Sequence, residues 1–231
     1  MIFVGWQAKE ALEAEIYWSL VKSLMPPIDL SSVPRHDLLS GLKELPQWIC
    51  WYSKIDSDGK LRKKPYPHDD SCTLYKPGIA KYSSRDNWLS YTKAREVQSK
   101  ADIPLGIGFV LTERDELAVL DIDDCVDPES GEVCEEVLTF IKKSESYTEI
   151  SPSGTGLHII VKGHIPRQGW SNQPDGFKLE VYDKFFITVT MKHLDDTPTS
   201  VKPAQDFLRW IFEEYDISWP DPKFGSFWPD E

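Results

Sequence analysis

The amino-acid sequence predicts an α+β protein built on a mostly antiparallel sheet. Short runs of apolar or alternating residues, rich in Val, Ile and aromatic side chains, recur through most of the 231 residues. Turn residues separate these runs, and a few stretches of helical periodicity interrupt them. Several strands in succession, punctuated by helices, are typical of the α+β class.

The predicted elements lie between an N-terminal helix and an extended tail. We divide the chain into a helix and linker over 1–35, a main domain over 36–216 and a tail over 217–231. Helices are predicted over 7–24, from a cap within 83–86 to about 97, and over 134–143 and 204–215. Strands are predicted over 48–52, 60–64, 106–111, 117–122, 147–150, 157–162, 177–182 and 185–190.

The charge balance is acidic, with a net charge of −12 and a pI near 4.9. A surface of this kind repels phosphates, whereas a nucleic-acid-binding protein normally carries a basic patch. The basic run KLRKK at 60–64 and bound divalent cations would offset this locally.

The sequence lacks the features of a membrane or secreted protein. No stretch approaches the roughly 20 apolar residues of a membrane-spanning helix, and the N-terminus does not resemble a signal peptide. The 4 cysteines form no CxxC pair, so we expect reduced, unpaired thiols. We expect a cytoplasmic protein of a prokaryote, or of a virus or plasmid in a prokaryotic host.

The strand predicted over 117–122 runs into an acidic motif. Because alternate residues of a strand share a face, Asp121 and Asp123 project together while Ile122 points into the core. Neighbouring carboxylates disfavour each other's ionisation unless a cation lies between them. Mg²⁺ or Mn²⁺ suits such oxygen ligands. A lone DxD also fits a strand that enters an acidic surface loop, so this motif by itself does not assign a site.

Two further features suggest the same chemistry. The segment SPSGTGLH at 151–158 forms a tight turn whose backbone N–H groups are free to face an anion, and His158 follows it on a strand. Glu180 lies on the strand face opposite Leu179 and Val181 and supplies a third carboxylate. Alone, either residue also fits a packing or solvated-surface role. Together the features indicate in-line attack of a 3′-hydroxyl on a nucleoside triphosphate at a two-metal site.

Residues 42–190 resemble the bifunctional DNA primase–polymerase domain of the archaeo-eukaryotic primase superfamily. The resemblance rests on motifs in a set order: LPQWICW (45–51), KKPY (63–66), Trp88, GIGFVL (106–111), LDIDDC (120–125), YTEISPSGTGLH (147–158), EVY (180–182) and TVT (188–190). It implies an RRM-like antiparallel catalytic sheet with a smaller N-terminal α/β module.

The resemblance also implies roles for individual residues. It implies that the metal ligands are Asp121, Asp123 and Glu180. The catalytic residues would be these three carboxylates and His158. The residues expected to bind the incoming nucleotide are Ser153, Gly156, His158, Lys184 and Lys64. Two positions depart from the family pattern. Lys184 stands near the usual Arg, and Met191 stands where a Gly is usual.

The function implied is template-dependent nucleotidyl transfer, as DNA primase or DNA polymerase, in plasmid, phage or mobile-element replication. Its cofactors would be Mg²⁺ or Mn²⁺. Its partners would be single-stranded DNA template or primer–template, dNTP or NTP, and a helicase or another replication protein.

Two alternatives remain open. A metal-dependent nuclease would cleave DNA without nucleotides. An inactive template-binding module for replication initiation would bind DNA regardless of Asp121. A rolling-circle relaxase is excluded, because it needs paired His ligands and the motif at 157–159 contains one His.

Overall fold

A computed structural model describes residues 39–215, apart from 56, 58, 60, 67–80, 113, 166–169, 173 and 175. The helix and linker predicted over 1–35 and the tail predicted over 217–231 lie outside the described residues. Within the described part, helices combine with largely antiparallel sheets, so the predicted α+β class is confirmed. In this same part, no helix has the length and apolar character needed to cross a membrane.

The described residues form ten strands, four α-helices and one 3-10 turn. The strands are β1 (Trp48–Ile55), β2 (Leu61–Pro65), β3 (Gly106–Leu111), β4 (Leu117–Asp123), β5 (Thr148–Ile150), β6 (Leu157–Lys162), β7 (Trp170–Asn172), β8 (Lys178–Tyr182), β9 (Phe185–Val189) and β10 (Lys202–Pro203). The helices are α1 (Ser40–Lys43), α2 (Tyr91–Lys100), α3 (Glu135–Ser144) and α4 (Gln205–Glu214), and the 3-10 turn spans Arg85–Asn87.

These strands form two sheets. The four-stranded sheet has the order β2-β1-β3-β9 and is antiparallel throughout. The six-stranded sheet has the order β10-β6-β4-β8-β7, with β5 also paired to β6, and among its described strands β10 alone is parallel to its neighbour. Strand β4 is central and is hydrogen-bonded on both sides, to β6 and β8.

Each face of the six-stranded sheet has its own core. One face packs on α3 and α4 through a cluster that includes Leu120, Ile122, Leu179, Val181, Phe140, Leu208 and Phe212. On the other face, Leu117, Val119 and Ile160 join the core of the four-stranded sheet and α2. Strand β4 is buried on both faces up to Leu120, and from Asp121 onward its alternate residues are partly exposed. The second face therefore opens at Asp121.

Three short described elements were missed from sequence, and one helix start was wrong. α1, β7 and β10 have two to four residues, too few to show a period. The cap predicted within 83–86 is wrong, because Leu89 is extended and exchanges backbone hydrogen bonds with Trp48. Helix α2 instead begins after Ser90, whose Oγ accepts a hydrogen bond from the Lys93 N–H at 3.2 Å.

Three of the four cysteines lie among the described residues. The Cys50 and Cys125 thiols are buried, and the Cys134 thiol is exposed, while their reduced, unpaired state stays a prediction. Burial raises the pKa of the Cys125 thiol to about 12, which makes it unreactive. Cys72 lies outside the described residues.

Candidate active site

A row of polar side chains crosses the open face of the six-stranded sheet. In the strand register Glu149 pairs with His158, His158 with Asp121, and Asp121 with Glu180. Directly paired residues share a face, with Cβ atoms about 4.5–5.5 Å apart. We call Glu149, His158, Asp121 and Glu180 the polar row. Carboxylates from β4 and β8 thus lie side by side, as the catalytic hypothesis requires.

The sequence of each strand explains why these side chains face outward. Ile122 is fully buried against the helices, so Asp121 and Asp123 leave the opposite face of β4. Leu179 and Val181 are also fully buried, which turns Glu180 to the same open face. Alternation about buried apolar residues therefore sets the direction of all three carboxylates.

The pKa values of Asp121 and Asp123 are shifted in opposite directions. Burial alone would raise the pKa of Asp121, but the charge and hydrogen bond of His158, with Lys63 and Lys178 farther away, bring it below its usual value. Burial and the charge of Asp121 raise the pKa of Asp123. The anion of Asp121 is therefore favoured, whereas burial and the charge of Asp121 disfavour the anion of Asp123 despite the opposing charges of Lys178 and Lys63.

The Lys178 ammonium group lies between the carboxylates of Asp123 and Glu180. Lys178 Nζ is 2.7 Å from Glu180 Oε1 and 3.9 Å from Asp123 Oδ2. The hydrogen bond to Glu180, followed by the charges of Glu180 and Asp123, raises the pKa of Lys178. Lys178 thereby neutralises part of the acidic charge, a role that the sequence analysis did not assign.

His158 is almost wholly buried within the polar row, with 1% of its side chain exposed. Its Nδ1 lies 3.0 Å from Glu149 Oε1, and its Nε2 lies 3.5 Å from Asp121 Oδ1. Desolvation lowers the pKa of His158, but the charge and hydrogen bond of Asp121 and then those of Glu149 outweigh it and raise the value to about 9. In this arrangement the imidazolium faces Asp121, so contact with a phosphate stays a prediction.

Glu149 is the main residue that sequence reasoning missed. It is fully buried, and its two oxygens accept four hydrogen bonds near 3.0 Å, from His158, Tyr147 and the backbone N–H groups of Thr190 and Met191. These four donors satisfy the hydrogen-bonding capacity that a buried carboxylate needs. An acidic residue inside an otherwise apolar strand was the available signal.

Met191 takes part in this arrangement through an unusual backbone conformation. Its φ is 59°, in the left-handed region that favours glycine. This explains why a family that resembles the chain has Gly there. The conformation directs the Met191 N–H to Glu149 Oε2 at 3.0 Å, so the strain orients a donor toward the anion.

The predicted Ser-Gly turn lies against the end of β4. A Cβ on Gly156 would stand 2.5 Å from the Ile122 carbonyl oxygen and 3.3 Å from Asp123 Cα, so only glycine permits this approach. Ser153 is exposed, and its Oγ lies 2.9 Å from Ser151 Oγ and accepts the Thr155 N–H at 3.3 Å. The turn therefore adjoins Asp123, while nucleotide binding by Ser153 and Gly156 stays a prediction.

Lys64 and Lys184, the two lysines predicted to bind the nucleotide, lie apart from each other, and Lys63 is the lysine that acts on the aspartates. Lys63 acts on the pKa of both Asp121 and Asp123, and its Nζ lies 3.5 Å from Thr188 Oγ1. Lys64 follows on the same strand and leaves its opposite face. Lys184 lies in the turn between β8 and β9 and lines a pocket. Sequence alone did not indicate whether Lys63 or Lys64 faces the carboxylates of Asp121 and Asp123.

The carboxylate oxygens of Asp121, Asp123 and Glu180 are ligands that a hard divalent cation prefers, but their present arrangement does not form a metal site. Asp121 and Asp123 offer carboxylate oxygens from one face, and a cation would relieve the repulsion that raises the pKa of Asp123. For Glu180 to join them, Lys178 must leave its 2.7 Å contact. Among the described residues, no three His, Cys, Asp or Glu side chains are grouped closely enough to hold a metal ion.

This chain is similar in sequence to a known protein. A protein named DNA Primase-polymerase, from Nitratiruptor phage NrS-1, is 32% identical over 162 residues. The match covers 68% of this chain but 21% of the phage protein, so the chain spans a small part of that relative's length. No family model matches the chain.

Proposed function

Because the chain contains a primase–polymerase-type domain, we propose that it is a template-dependent nucleotidyl transferase that adds nucleotides to a 3′-hydroxyl. The name of its relative supports the coarser part of this proposal, a role in DNA priming or polymerisation. The two-metal mechanism, the nucleotide substrates and the replication context in a phage, plasmid or mobile element are our proposals.

The polar row is the observation that carries this proposal. It brings Asp121, Glu180 and His158 from three neighbouring strands to one open face. Asp123 lies on the same face, two residues farther along β4. Backbone hydrogen bonds on both sides of β4 fix the spacing of these groups before any substrate binds. Such preorganisation is what electrostatic catalysis of phosphoryl transfer needs.

We assign the chain's residues as follows. Asp121, Asp123 and Glu180 would hold Mg²⁺ or Mn²⁺, which when bound would activate the attacking oxygen and neutralise the triphosphate. His158 holds Asp121 in place and ionised. Lys63 contributes positive charge beside the carboxylates, where triphosphate oxygens would lie, and the turn over 151–156 lines the end of the site at Asp123.

The finer fold assignment is also a proposal. We take the six-stranded sheet as the RRM-like catalytic sheet, and the four-stranded sheet with α2 as the smaller module. We take the partners to be a single-stranded DNA template or primer–template and, in the cell, a helicase or another replication protein.

The direct test is incubation with single-stranded template, Mn²⁺ and labelled nucleotides, with and without a primer. We expect template-directed products that EDTA abolishes. Release of nucleotides from labelled DNA when no nucleoside triphosphate is present would favour the nuclease alternative. DNA binding without either activity would favour the inactive-module alternative.

Lys63→Met is expected to raise the KM for the nucleotide about tenfold with a smaller effect on the maximal rate, because it removes a cation beside the carboxylates. Lys64→Met is the matched control, since it removes the same charge from the other face of the same strand. Steady-state incorporation at varied nucleotide concentration measures both. Equal KM values for the two variants would contradict the assignment of Lys63.

A further inference from the structure

A second pocket lies at the far end of the four-stranded sheet, where β3 ends and β9 begins. Its volume is about 450 Å³. Three aromatic rings and three cationic side chains dominate its lining: Tyr82, Trp88, Phe185, Arg85, Arg114 and Lys184. The acidic site described above does not include these residues.

The charge of this pocket is opposite to that of the whole chain. The chain carries a net charge of −12, yet none of the described residues that line the pocket is acidic. A concave surface with three cations attracts phosphate groups, the more so where the remaining surface repels them. The pocket is therefore a local site for an anionic ligand.

The aromatic side chains suggest what else this ligand carries. Phe185 is 49% exposed and has a φ of 77°, a left-handed conformation that is strained for a bulky residue. Its ring lies 5.9 Å from that of Tyr82, and the Arg85 guanidinium lies 5.5 Å from the Trp88 ring. Exposed rings beside arginines are typical of sites where nucleic-acid bases stack and phosphates pair.

A continuous path of residues joins this pocket to the polar row. Tyr82 also contacts the Phe186 ring at 5.9 Å, and Thr188 follows Phe186 on the same face of β9. Thr188 Oγ1 lies 3.5 Å from Lys63 Nζ, whose charge acts on Asp121. From Phe185 to Thr188 the strand rises about 10 Å, which is about three stacked nucleotides of one strand.

We propose that the pocket lined by Tyr82, Trp88, Phe185, Arg85, Arg114 and Lys184 binds a base and its phosphates in a single-stranded DNA that continues from the polar row. The inference rests on the proposed function and locates its template partner. It gives Lys184 a contact with a strand phosphate in place of the triphosphate of the incoming nucleotide. A free nucleotide has the same base-and-phosphate chemistry, so the test must separate the two ligands.

The test measures binding of a fluorescent 20-nucleotide oligo(dT) to the full chain in EDTA, by anisotropy at several salt concentrations. Arg114→Ala/Lys184→Ala should bind about tenfold more weakly at low salt and show a shallower salt dependence, with the slope reduced by about 1.4 for two lost phosphate contacts. Phe185→Gly should weaken binding about tenfold without changing that slope. Glycine also relieves the positive φ, so this variant should stay folded.

The control Lys142→Ala/Arg209→Ala removes two exposed charges from α3 and α4, on the helix-covered face of the six-stranded sheet. It should bind oligo(dT) like the wild type. Wild-type affinity in the pocket variants would overturn the proposal. So would a loss of dTTP affinity with oligo(dT) binding intact, which would identify a free-nucleotide site.

The experiment distinguishes failure of this inference from failure of the proposed function. If the wild type binds oligo(dT) through this pocket but incorporates no nucleotide, the pocket inference stands and the proposed function fails. If the wild type incorporates nucleotides and the pocket variants bind oligo(dT) normally, the pocket inference alone fails.

Discussion

Asp121→Asn is expected to lower template-directed incorporation at least about a thousandfold, a loss of roughly 4 kcal/mol of transition-state stabilisation. The change keeps the shape of the side chain but removes the anion at the centre of the polar row, between His158 and Glu180. Single-turnover primer extension with Mn²⁺ measures the effect. Extension at the wild-type rate would show that the reaction does not use this row.

Asp123→Asn should cause a similar loss of activity but the opposite change in stability. The pKa of Asp123 is raised by burial and by repulsion from Asp121, so removing its charge should leave the free energy of unfolding unchanged or higher. Asp121→Asn removes the partner of His158 and should lower the free energy of unfolding by about 1–3 kcal/mol. Urea unfolding without metal at pH 7 compares the two variants. Asp206→Asn, at an exposed residue of α4, is the control.

Glu149→Gln is expected to lower incorporation at least about a hundredfold although Glu149 touches neither substrate nor metal in this proposal. An amide cannot accept all four hydrogen bonds, so at least one buried donor near His158 loses its partner, at a cost of about 2–5 kcal/mol. His158 then loses the contact that orients its ring toward Asp121. The assay is single-turnover incorporation at a temperature where the variant is fully folded.

The pKa of His158 distinguishes a positioning role for Glu149 from a merely structural one. In the metal-free wild type it is about 9, above the 6.5 of an ordinary His. The pairing of His158 therefore stabilises the fold fully below pH 6.5, and this contribution is lost as the pH rises through 9. Glu149→Gln should move the NMR titration of His158 to lower pH, whereas Glu135→Gln on exposed α3 should not.

A double-mutant cycle completes this test. If Glu149 acts through His158, adding Glu149→Gln to His158→Gln should reduce incorporation little further. If the losses of incorporation in the two single variants add up in the double variant, Glu149 only supports the fold. The same conclusion would follow if Glu149→Gln lowered stability but left the His158 titration unchanged.

Much of the fold could be predicted from sequence because its longer strands are short apolar or alternating runs bounded by turn residues. In β4 the buried Leu120 and Ile122 alternate with Asp121 and Asp123, which fixes the face that both carboxylates share. The helix start near Ser90 could not be predicted, because it depends on Leu89 pairing with the distant Trp48. Local capping signals at 83–86 were overridden by this long-range contact.

The candidate site was only partly predictable for the same physical reason. That β8 lies beside β4, which sets Glu180 against Asp121, depends on strand order and not on local sequence. The face of Lys63, as opposed to Lys64, depends on the register of β2 with β1. Glu149 was passed over because its four donors come from segments up to 42 residues away in the chain.

Lys178 occupies the position where the proposed function needs a divalent ion. Its ammonium group, held by Glu180 and near Asp123, would compete with that ion for the same oxygens. Binding of the ion would then require Lys178 to move away from Glu180, so an ion that arrives with a triphosphate would have an advantage over one that arrives alone. Under the proposed function, the complete charge arrangement would therefore form only with substrate bound.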